Sequence, residues 1–266
     1  MIESAQALWL ALVQGVTEFL PISSAAHLVL VPELLGWPDQ GLAFDVAVHV
    51  GTLLAVAICL RRDIAGIVTG WLSQWGPAGA TPASRLGWLL ILATVPAVLV
   101  GALLNDVVEQ ILRNPLVIAA TTVVFALFLW WADWRVRGQR QLGELTARDA
   151  LVIGIAQALA LIPGVSRSGI TMTAGLALGL GRKGAARFSF LLSVPVILAA
   201  GVLKGIELGS SAGPVNWVAF TLSIVMAFAS ALAVIALFLR FIERTGMLPF
   251  VLYRLLLGAF LFAIFW

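Results

Sequence analysis

The stretch QALALIPGVSRSGITMT, Gln157 to Thr173, decides the fold because it places helix-breaking and polar residues inside an apolar region. Its centre holds two glycines, a proline and a polar run, namely Pro163, Gly164, Ser166, Arg167, Ser168 and Gly169. Proline removes a backbone donor and glycine loosens the chain, so we expect a helix to break here. An arginine at membrane depth costs roughly 3 kcal/mol, and broken backbone persists there only inside protein or beside a wet cavity. The stretch therefore predicts a re-entrant helical hairpin with a polar tip.

A second copy of this pattern, QGVTEFLPISSAAH, runs from Gln14 to His27. Both copies have a glutamine, a short apolar half-helix, a proline, and a serine-containing break before a second apolar half. The first tip carries Glu18, Ser23, Ser24 and His27, and the second carries Ser166, Arg167, Ser168, Thr171 and Thr173. One tip is therefore acidic and nucleophilic, while the other is cationic. Two such tips in contact would form an anion site beside a base.

The composition assigns the chain to the membrane. Of its 266 residues, 61% are hydrophobic and only 11% are charged, which is far from the balance of a soluble domain. The formal net charge of +3, with arginine concentrated in loops, indicates membrane orientation, and we expect no nucleic-acid partner. The single Cys59 permits no internal disulfide. Because the N-terminal stretch lacks a basic region and carries Glu18, we do not expect a cleaved signal peptide.

The layout of the chain repeats once. We expect a single membrane domain over 1–266, with one repeat over about 1–132, a polar cytoplasmic loop over 133–149 and a second repeat over about 150–266. In each repeat a broken hairpin precedes three apolar segments, at 43–60, 86–104 and 115–132, and at 188–206, 215–239 and 248–266. Because three spans are an odd number, the second repeat should be inverted relative to the first. The predicted fold is an all-α integral membrane protein with an inverted-topology repeat, each half made of one re-entrant helical hairpin plus three transmembrane helices.

Basic residues are distributed unevenly between the two predicted sides of the membrane. Twelve of them lie in the connecting stretches 61–85, 133–149, 181–187 and 240–247, of which 64–84 is predicted to be a surface helix plus a loop and the others are predicted to be loops. The opposite side has Arg113 and Lys204. The positive-inside rule makes the first side cytoplasmic, so both termini are expected to be periplasmic. The two hairpins then enter from opposite faces, and their tips meet near the midplane, where inverted repeats place their sites.

Both tips should begin a helix at the meeting point. Proline closes one arm and serine is a favoured N-cap for the next, so Ser23 and Ser166 are candidate caps. Two helix N-termini aimed at one point offer free N–H groups and a positive potential, which suit phosphate. Arg167 adds a fork that fits phosphate oxygens. Glu18, three residues before Pro21, is a candidate general base or a ligand for a divalent cation.

Several roles stay open from the residues alone. The nucleophile is Ser24, His27 or a base-activated water. Arg167 is interpreted as a phosphate ligand, with a structural ion pair as the alternative. His49 either lines the cavity or packs between helices. Arg254, in the last span, is interpreted as a packing or snorkelling contact.

TEFLPISSAAH together with PGVSRSGIT resembles the bacterial undecaprenyl pyrophosphate phosphatase family, which is linked to bacitracin resistance. The likeness covers essentially the whole chain, including FDVAVHVGTLLAV and RFSFLLSVP. The resemblance implies hydrolysis of undecaprenyl pyrophosphate to undecaprenyl phosphate and inorganic phosphate, which recycles the lipid carrier for peptidoglycan synthesis. It also implies a bacterial inner-membrane location, a site open to the periplasmic side, and a divalent cation, Mg²⁺ or Ca²⁺.

The site residues that the resemblance implies fall in both motifs. The expected catalytic residues are Glu18, Ser24, His27 and Arg167. The expected substrate-binding residues are Ser23, Ser166, Arg167 and Thr171, to which the polar composition of the second tip adds Ser168, and Glu18 is the expected metal ligand. The chain departs from the family pattern at Gln14, where many members have a second glutamate, and this weakens any mechanism in which two carboxylates share a metal.

A different class of protein fits part of the pattern. Opposed re-entrant hairpins in inverted repeats are also a transporter layout, so a transporter or flippase of polyprenyl phosphate lipids is the alternative function. A carrier needs binding groups but no nucleophile and base together, and the residues of the first tip therefore favour the enzyme. Besides the polyprenyl pyrophosphate and the membrane lipids, a second copy of the chain is a candidate partner, as a homodimer.

Overall fold

The computed structural model describes residues 3–77, 79–111, 114–136, 140–210 and 216–266, and the predicted loop residues Arg113 and Arg137 lie outside these ranges. Within them the chain forms eleven α-helices and two short 3₁₀ turns, with no β-strand. In chain order the helices are α1 (Ser4–Thr17), α2 (Ser24–Leu35), α3 (Gly41–Cys59), α4 (Arg61–Ser73), α5 (Pro82–Ile111), α6 (Pro115–Trp134), α7 (Ala147–Ala158), α8 (Arg167–Ala177), α9 (Arg182–Ser210), α10 (Trp217–Thr245) and α11 (Leu248–Phe265). The predicted all-α class is confirmed.

Six of the described helices, α3, α5, α6, α9, α10 and α11, are long and apolar enough to cross a membrane. They coincide with the six apolar segments that the sequence predicts to span, which supports a multi-pass membrane protein. Apolar side chains such as Leu99, Ile206 and Leu256 are exposed on these helices, as they are on lipid-facing surfaces.

Two of the long helices extend into stretches that the sequence predicts to be loops. α9 begins at Arg182 and α10 continues to Thr245. The loop predictions for 181–187 and 240–247 are therefore wrong for most of their length. Arginine and lysine are good helix formers, so a basic stretch next to an apolar span can continue the helix while still marking one side of the membrane.

Two pairs of short helices, α1–α2 and α7–α8, form the predicted broken hairpins. Their arms have 14, 12, 12 and 11 residues, whereas a spanning helix needs roughly 20. The first arm ends at Thr17 and its counterpart at Ala158, so both arms end before Pro21 and Pro163 are reached. We call residues 18–27 the first tip and residues 162–173 the second tip.

Both breaks end on a serine with an unusual backbone conformation. Ser23 has φ 72° and Ser166 has φ 73°, and among the described residues only glycines share a positive φ with them. Such a conformation costs on the order of 1–3 kcal/mol when the residue carries a side chain. The Ser166 hydroxyl caps α8, as predicted, by accepting from Gly169 N at 3.1 Å. The Ser23 hydroxyl makes no such bond to α2, so the first N–H groups of that helix are not capped by it.

A chain of aromatic rings fixes the backbone beside the first tip. Phe19 is fully buried, and its ring lies 5.2 Å from that of Phe190 in α9. The contact continues to Phe238 in α10 at 5.6 Å and to Phe250 in α11 at 5.4 Å. Within a membrane such rings stabilise helix contacts through van der Waals packing and not through the removal of apolar surface from water. The helix bundle therefore holds the residue next to Glu18 firmly in place.

Ion pairs tie the polar loops to helix ends on the predicted cytoplasmic side. Arg182 contacts Asp133 with Nε at 2.6 Å and with Nη2 at 3.1 Å, and Asp133 also accepts from Met247 N at 3.1 Å. Arg140 Nη2 lies 2.7 Å from Asp149 Oδ2 at the start of α7. The hydrogen bond from the Arg140 guanidinium is the main reason why the pKa of Asp149 is lowered to about 2.

Candidate active site

The two tips meet through a direct contact between their charged side chains. Arg167 Nη2 lies 2.7 Å from Glu18 Oε1, and both side chains are largely buried. The Arg167 guanidinium also donates from Nη1 to Ser189 O at 3.3 Å. The carboxylate and the guanidinium that the sequence places on separate hairpins are therefore brought together in one site.

A buried arginine from the last helix holds the tips together. Arg254 is 0% exposed. Its guanidinium donates from Nη1 to Pro21 O at 3.3 Å, from Nη2 to Gly164 O at 2.8 Å, and from Nε to Thr122 O at 3.1 Å. The interpretation of Arg254 as a packing or snorkelling contact is wrong in its second part, because the guanidinium points inward and connects both breaks with α6. The sequence carried one signal for this role, because ionisable residues are rare inside membrane spans and usually face the interior of the helix bundle.

Further hydrogen bonds connect the second tip to the first tip and to α6. Ser168 Oγ donates to Leu20 O at 2.8 Å, which is a second link between the tips. Thr121 Oγ1 in α6 donates to Pro163 O at 2.6 Å. Gly164 has φ +91°, and a Cβ atom there would lie only 2.2 Å from Thr121 Oγ1. The glycine thus permits the close approach of α6 to the tip.

Three donors converge on the Glu18 carboxylate from three parts of the chain. Besides Arg167 on Oε1, Ser24 Oγ donates to Oε2 at 2.6 Å and Gln14 Nε2 donates to Oε2 at 3.1 Å. A hydroxyl that donates to a fixed carboxylate has the geometry of a nucleophile with its general base. Ser24 and Glu18 have this geometry.

His27 lies in a different hydrogen-bonded group. Its Nδ1 is 2.7 Å from Ser23 O, so Nδ1 carries the proton in a neutral ring. Nε2 is 2.6 Å from the Tyr253 hydroxyl, and the two rings stack at 5.7 Å between centroids. The ring thus makes its hydrogen bonds to the first tip's backbone and to α11. Sequence reasoning missed Tyr253, although it is the only tyrosine of the sequence and stands next to Arg254.

The remaining predicted residues of the second tip are engaged within the protein. Ser166 Oγ lies 3.2 Å from Ser168 Oγ. Thr171 Oγ1 donates to Arg167 O at 2.8 Å and lies 2.7 Å from Ser189 Oγ. Thr171 therefore braces the turn of α8 that carries Arg167, against a serine of α9. The prediction that these hydroxyls bind substrate stays a prediction.

A cavity of about 640 Å³ lies beside the tips. Gln14, Ser24, Gln40 and His49 contribute uncharged polar lining, and Leu161 and Pro163 belong to its apolar lining. Its charged lining consists of Glu33, Asp39, Asp45, Lys204 and Glu207. Ser24 thus lies between the cavity and the buried Glu18 carboxylate, where a ligand in the cavity can reach it.

The acidic side chains at the site bear on the predicted divalent cation. Within the described part of the chain, no group of three or more His, Cys, Asp or Glu side chains could hold a metal ion by itself. Mg²⁺ is usually held by one or two carboxylates plus substrate phosphates, and the prediction that Glu18 is such a carboxylate stays a prediction. Gln14 turns its amide nitrogen toward Glu18, so it adds no second oxygen next to that carboxylate.

Fold and site together define a helical, multi-pass membrane protein with a buried polar site between two broken hairpins. The family described as Bacitracin resistance protein BacA matches residues 7–260, and the chain belongs to this family. The resemblance inferred from the two motifs is thereby confirmed.

Curated relatives cover nearly the whole chain. A protein of Chromohalobacter salexigens named undecaprenyl-diphosphatase is 59% identical over 249 residues, which are 94% of each chain. An undecaprenyl-diphosphatase of Teredinibacter turnerae is 58% identical over 253 residues, covering 95% of this chain and 96% of that one. One from Saccharophagus degradans is 55% identical over 260 residues, covering 98% and 97%.

Proposed function

We propose that the chain is an undecaprenyl-diphosphatase, which hydrolyses undecaprenyl pyrophosphate to undecaprenyl phosphate and inorganic phosphate. Its relatives of that name share more than half of their residues with it over nearly their full length. Within the molecule, one observation carries the proposal: a serine from one hairpin and an arginine from the other both donate hydrogen bonds to one carboxylate, that of Glu18.

In the first step Ser24 is the nucleophile and Glu18 is the base. Ser24 Oγ attacks the terminal phosphorus while Glu18 Oε2, 2.6 Å away, takes its proton. The bond between phosphorus and Oγ forms, the bond from phosphorus to the bridging oxygen breaks, and undecaprenyl phosphate leaves. This choice of nucleophile over His27 rests on the hydrogen bond between Ser24 and Glu18, since both imidazole nitrogens are engaged by Ser23 O and Tyr253.

In the second step water attacks the phosphoserine. The bond from phosphorus to Oγ breaks, inorganic phosphate leaves, and Ser24 recovers its proton from Glu18. The cycle thus consumes one water molecule and returns Ser24 and Glu18 to their starting protonation states. If water instead attacked the terminal phosphorus directly, Glu18 would act as base on that water and Ser24 would only bind the phosphate.

The charge on the transferred phosphoryl group is met by Arg167 and by helix N-termini. A guanidinium has five N–H donors, and the contacts of Arg167 to Glu18 and Ser189 leave others for phosphate oxygens. The first N–H groups of α2, which the Ser23 hydroxyl does not cap, are suited to an anion as well. Such donors lower the barrier where charge develops in the transition state.

A divalent cation, Mg²⁺ or Ca²⁺, is part of the proposal, with Glu18 as its protein ligand. When bound, it supplies further neutralisation of phosphate charge. Glu18 would hold it with one carboxylate, in addition to the phosphate oxygens of the substrate. Removal of the cation by a chelator is expected to stop phosphate release, and readdition of Mg²⁺ or Ca²⁺ is expected to restore it.

The finer architecture and the orientation are also proposals. Matching packing of the two hairpins supports an inverted repeat, because α1 packs against α10 and α7 packs against α5. The equal φ angles of Ser23 and Ser166 support it too. We place the cavity on the periplasmic side, opposite the basic loops, with both termini periplasmic. Cysteines introduced at Asp39 and Arg148 should react with an impermeant thiol reagent from the periplasmic and the cytoplasmic side, respectively.

Hydrolysis in micelles distinguishes the enzyme from a flippase. Purified protein in detergent, given undecaprenyl pyrophosphate and Mg²⁺, is expected to release phosphate although there is no bilayer to cross. Arg244→Ala, at an exposed residue near the end of α10, is the matched control and should keep the wild-type rate. Absence of release from folded wild-type protein would contradict the proposal and leave lipid movement between leaflets of vesicles as the function to measure.

A further inference from the structure

A chain of hydrogen bonds extends from Glu18 to a residue that the proposed reaction does not use. Gln14 is 0% exposed, and its Nε2 donates to Glu18 Oε2 at 3.1 Å. The same Nε2 lies 3.5 Å from Nε2 of His49 in α3. Both Gln14 and His49 line the cavity beside the tips. Gln14 and His49 thus lie at the edge of the site, beside the cavity.

The tautomer of His49 follows from its other nitrogen. His49 Nδ1 lies 2.7 Å from Asp45 O, and a carbonyl oxygen only accepts, so Nδ1 carries the proton of the neutral ring. Nε2 therefore presents a lone pair to Gln14. The Gln14 amide group thus faces two acceptors, the Glu18 carboxylate and the His49 lone pair, and it donates one hydrogen to each.

The orientation of the Gln14 amide is determined by these two neighbours. In the opposite orientation Gln14 Oε1 would face two other acceptors, the Glu18 carboxylate oxygen and the lone pair of His49 Nε2, and would be repelled by both. In the observed orientation Gln14 Oε1 is buried and has no hydrogen-bond partner among the described residues. A buried acceptor without a partner is unfavourable, so the contacts of the nitrogen must outweigh it.

A common scaffold sets the distance between the two side chains. Gly15, next to Gln14, packs so closely on α10 that a Cβ atom there would lie 1.9 Å from Ser230 Oγ. A Cβ atom at Gly51, near His49, would lie 2.5 Å from Ile224 O of the same helix. Since α1 and α3 are both seated on α10, the gap between Gln14 and His49 is fixed by the backbone.

We propose that His49 is a positioning residue for the hydrolysis. Its Nε2 lone pair keeps the Gln14 amide nitrogen on Glu18 Oε2, and this holds the carboxylate in line with Ser24 Oγ. The inference rests on the proposed function, since it assigns His49 a role in activating Ser24. His49 itself touches neither the serine nor the phosphate.

Two substitutions of His49 test the roles of its two ring nitrogens separately. His49→Asn keeps a donor near the position of Nδ1 and removes the acceptor at Nε2, whereas His49→Gln can keep an acceptor near Nε2. We expect His49→Asn to lower kcat by about tenfold, the effect of one neutral hydrogen bond, with KM changed by less than about twofold. His49→Gln should retain kcat within about threefold of wild type.

A double variant tests whether His49 acts through Gln14. Gln14→Met removes the amide at similar side-chain length, so His49→Asn should lower kcat no further in that background. The inference would be overturned by any of three results. These are equal kcat values for His49→Gln and His49→Asn, a double variant in which the kcat losses of Gln14→Met and His49→Asn multiply, and a change in KM without a change in kcat. Absence of phosphate release from wild-type protein would instead overturn the proposed function.

The tautomer can be measured without any activity. The sequence has only two histidines, His27 and His49, so ¹⁵N-histidine labelling yields two ring systems, and the His49→Gln spectrum identifies which is which. At about pH 8, where a free imidazole is neutral, His49 should show a protonated Nδ1 and an unprotonated Nε2. The Nε2 shift should move in Gln14→Met. A protonated Nε2 in wild type, or no response to Gln14→Met, would overturn the inference even if a His49 variant failed to fold.

Discussion

Replacement of Arg254 by methionine removes the guanidinium that connects both tips to α6 while keeping the length and most of the volume of the side chain. Three backbone carbonyls lose a charged donor, namely those of Pro21, Gly164 and Thr122. Thr122 O lies within α6, and Gly164 O also accepts a hydrogen bond from Thr122 Oγ1 at 3.4 Å. The loss of the guanidinium therefore affects the hydrogen bonding of Pro21 O most.

The magnitude follows from the balance between lost hydrogen bonds and relieved burial. A hydrogen bond to a charged group contributes about 1.5–3 kcal/mol, and an unsatisfied buried carbonyl costs about 1–3 kcal/mol. Burial of a guanidinium is itself unfavourable, so part of this loss is returned when the charge is removed. We expect Arg254→Met to destabilise the protein by about 2–5 kcal/mol, within the range for breaking a buried charged network.

The assay combines thermal unfolding in detergent with phosphate release by the fraction that stays folded. Arg254→Met should unfold at a clearly lower temperature and release phosphate slowly, because Glu18 and Arg167 lose their common support. Arg254→Lys should be intermediate, since one ammonium cannot reach three carbonyls. Arg244→Met, at an exposed position, is the matched control and should behave as wild type. Wild-type unfolding temperature and turnover in Arg254→Met would refute this reasoning.

Three further outcomes are expected. Ser24→Ala should lower phosphate release by about 10³-fold, as loss of a nucleophile does, and turnover near the wild-type rate would assign the attack to water. Gly164→Ala should lower the unfolding temperature, because its Cβ would meet Thr121 Oγ1 at 2.2 Å and its φ of +91° strains any other residue; an unchanged temperature would contradict the close packing. Since the pKa of Asp149 is lowered to about 2 by Arg140, its stabilising contribution is present above its ordinary pKa of 3.8 and is lost as pH falls toward about 2. Arg140→Gln should therefore shift acid unfolding, followed by circular dichroism, to higher pH, and an unshifted transition would show that the pair does not act in this way.

The main features of the fold were predictable because local chemistry determines them. Proline beside glycine, serine and a charged residue breaks an apolar stretch, so both hairpins could be located around Pro21 and Pro163, whereas the isolated Pro96 and Pro195 lie inside α5 and α9. The six candidate spans follow from composition and length. The start of α9 at Arg182 was not predictable, because charge marks a side of the membrane without ending a helix.

The site was predictable where motif chemistry was explicit and unpredictable where it depended on three-dimensional contacts. The meeting of Glu18 with Arg167 followed from two tips of opposite charge. The role of Arg254 depends on which carbonyls lie around it, and the position of His27 depends on Tyr253, 226 residues away in the chain. Such partners come from packing, which no local pattern of α11 specifies.

The central claim is that two hairpins join Glu18, Ser24 and Arg167 into one site for phosphate transfer. Arg167→Lys tests it most directly, because it keeps a positive charge beside Glu18 while removing the planar fork that binds phosphate in bidentate fashion. The measurement is kcat/KM for phosphate release from undecaprenyl pyrophosphate by purified protein whose unfolding temperature is checked in the same preparation. The account predicts a folded variant with kcat/KM lowered by about a hundredfold or more. A folded Arg167→Lys protein with kcat/KM near that of the wild type would contradict it.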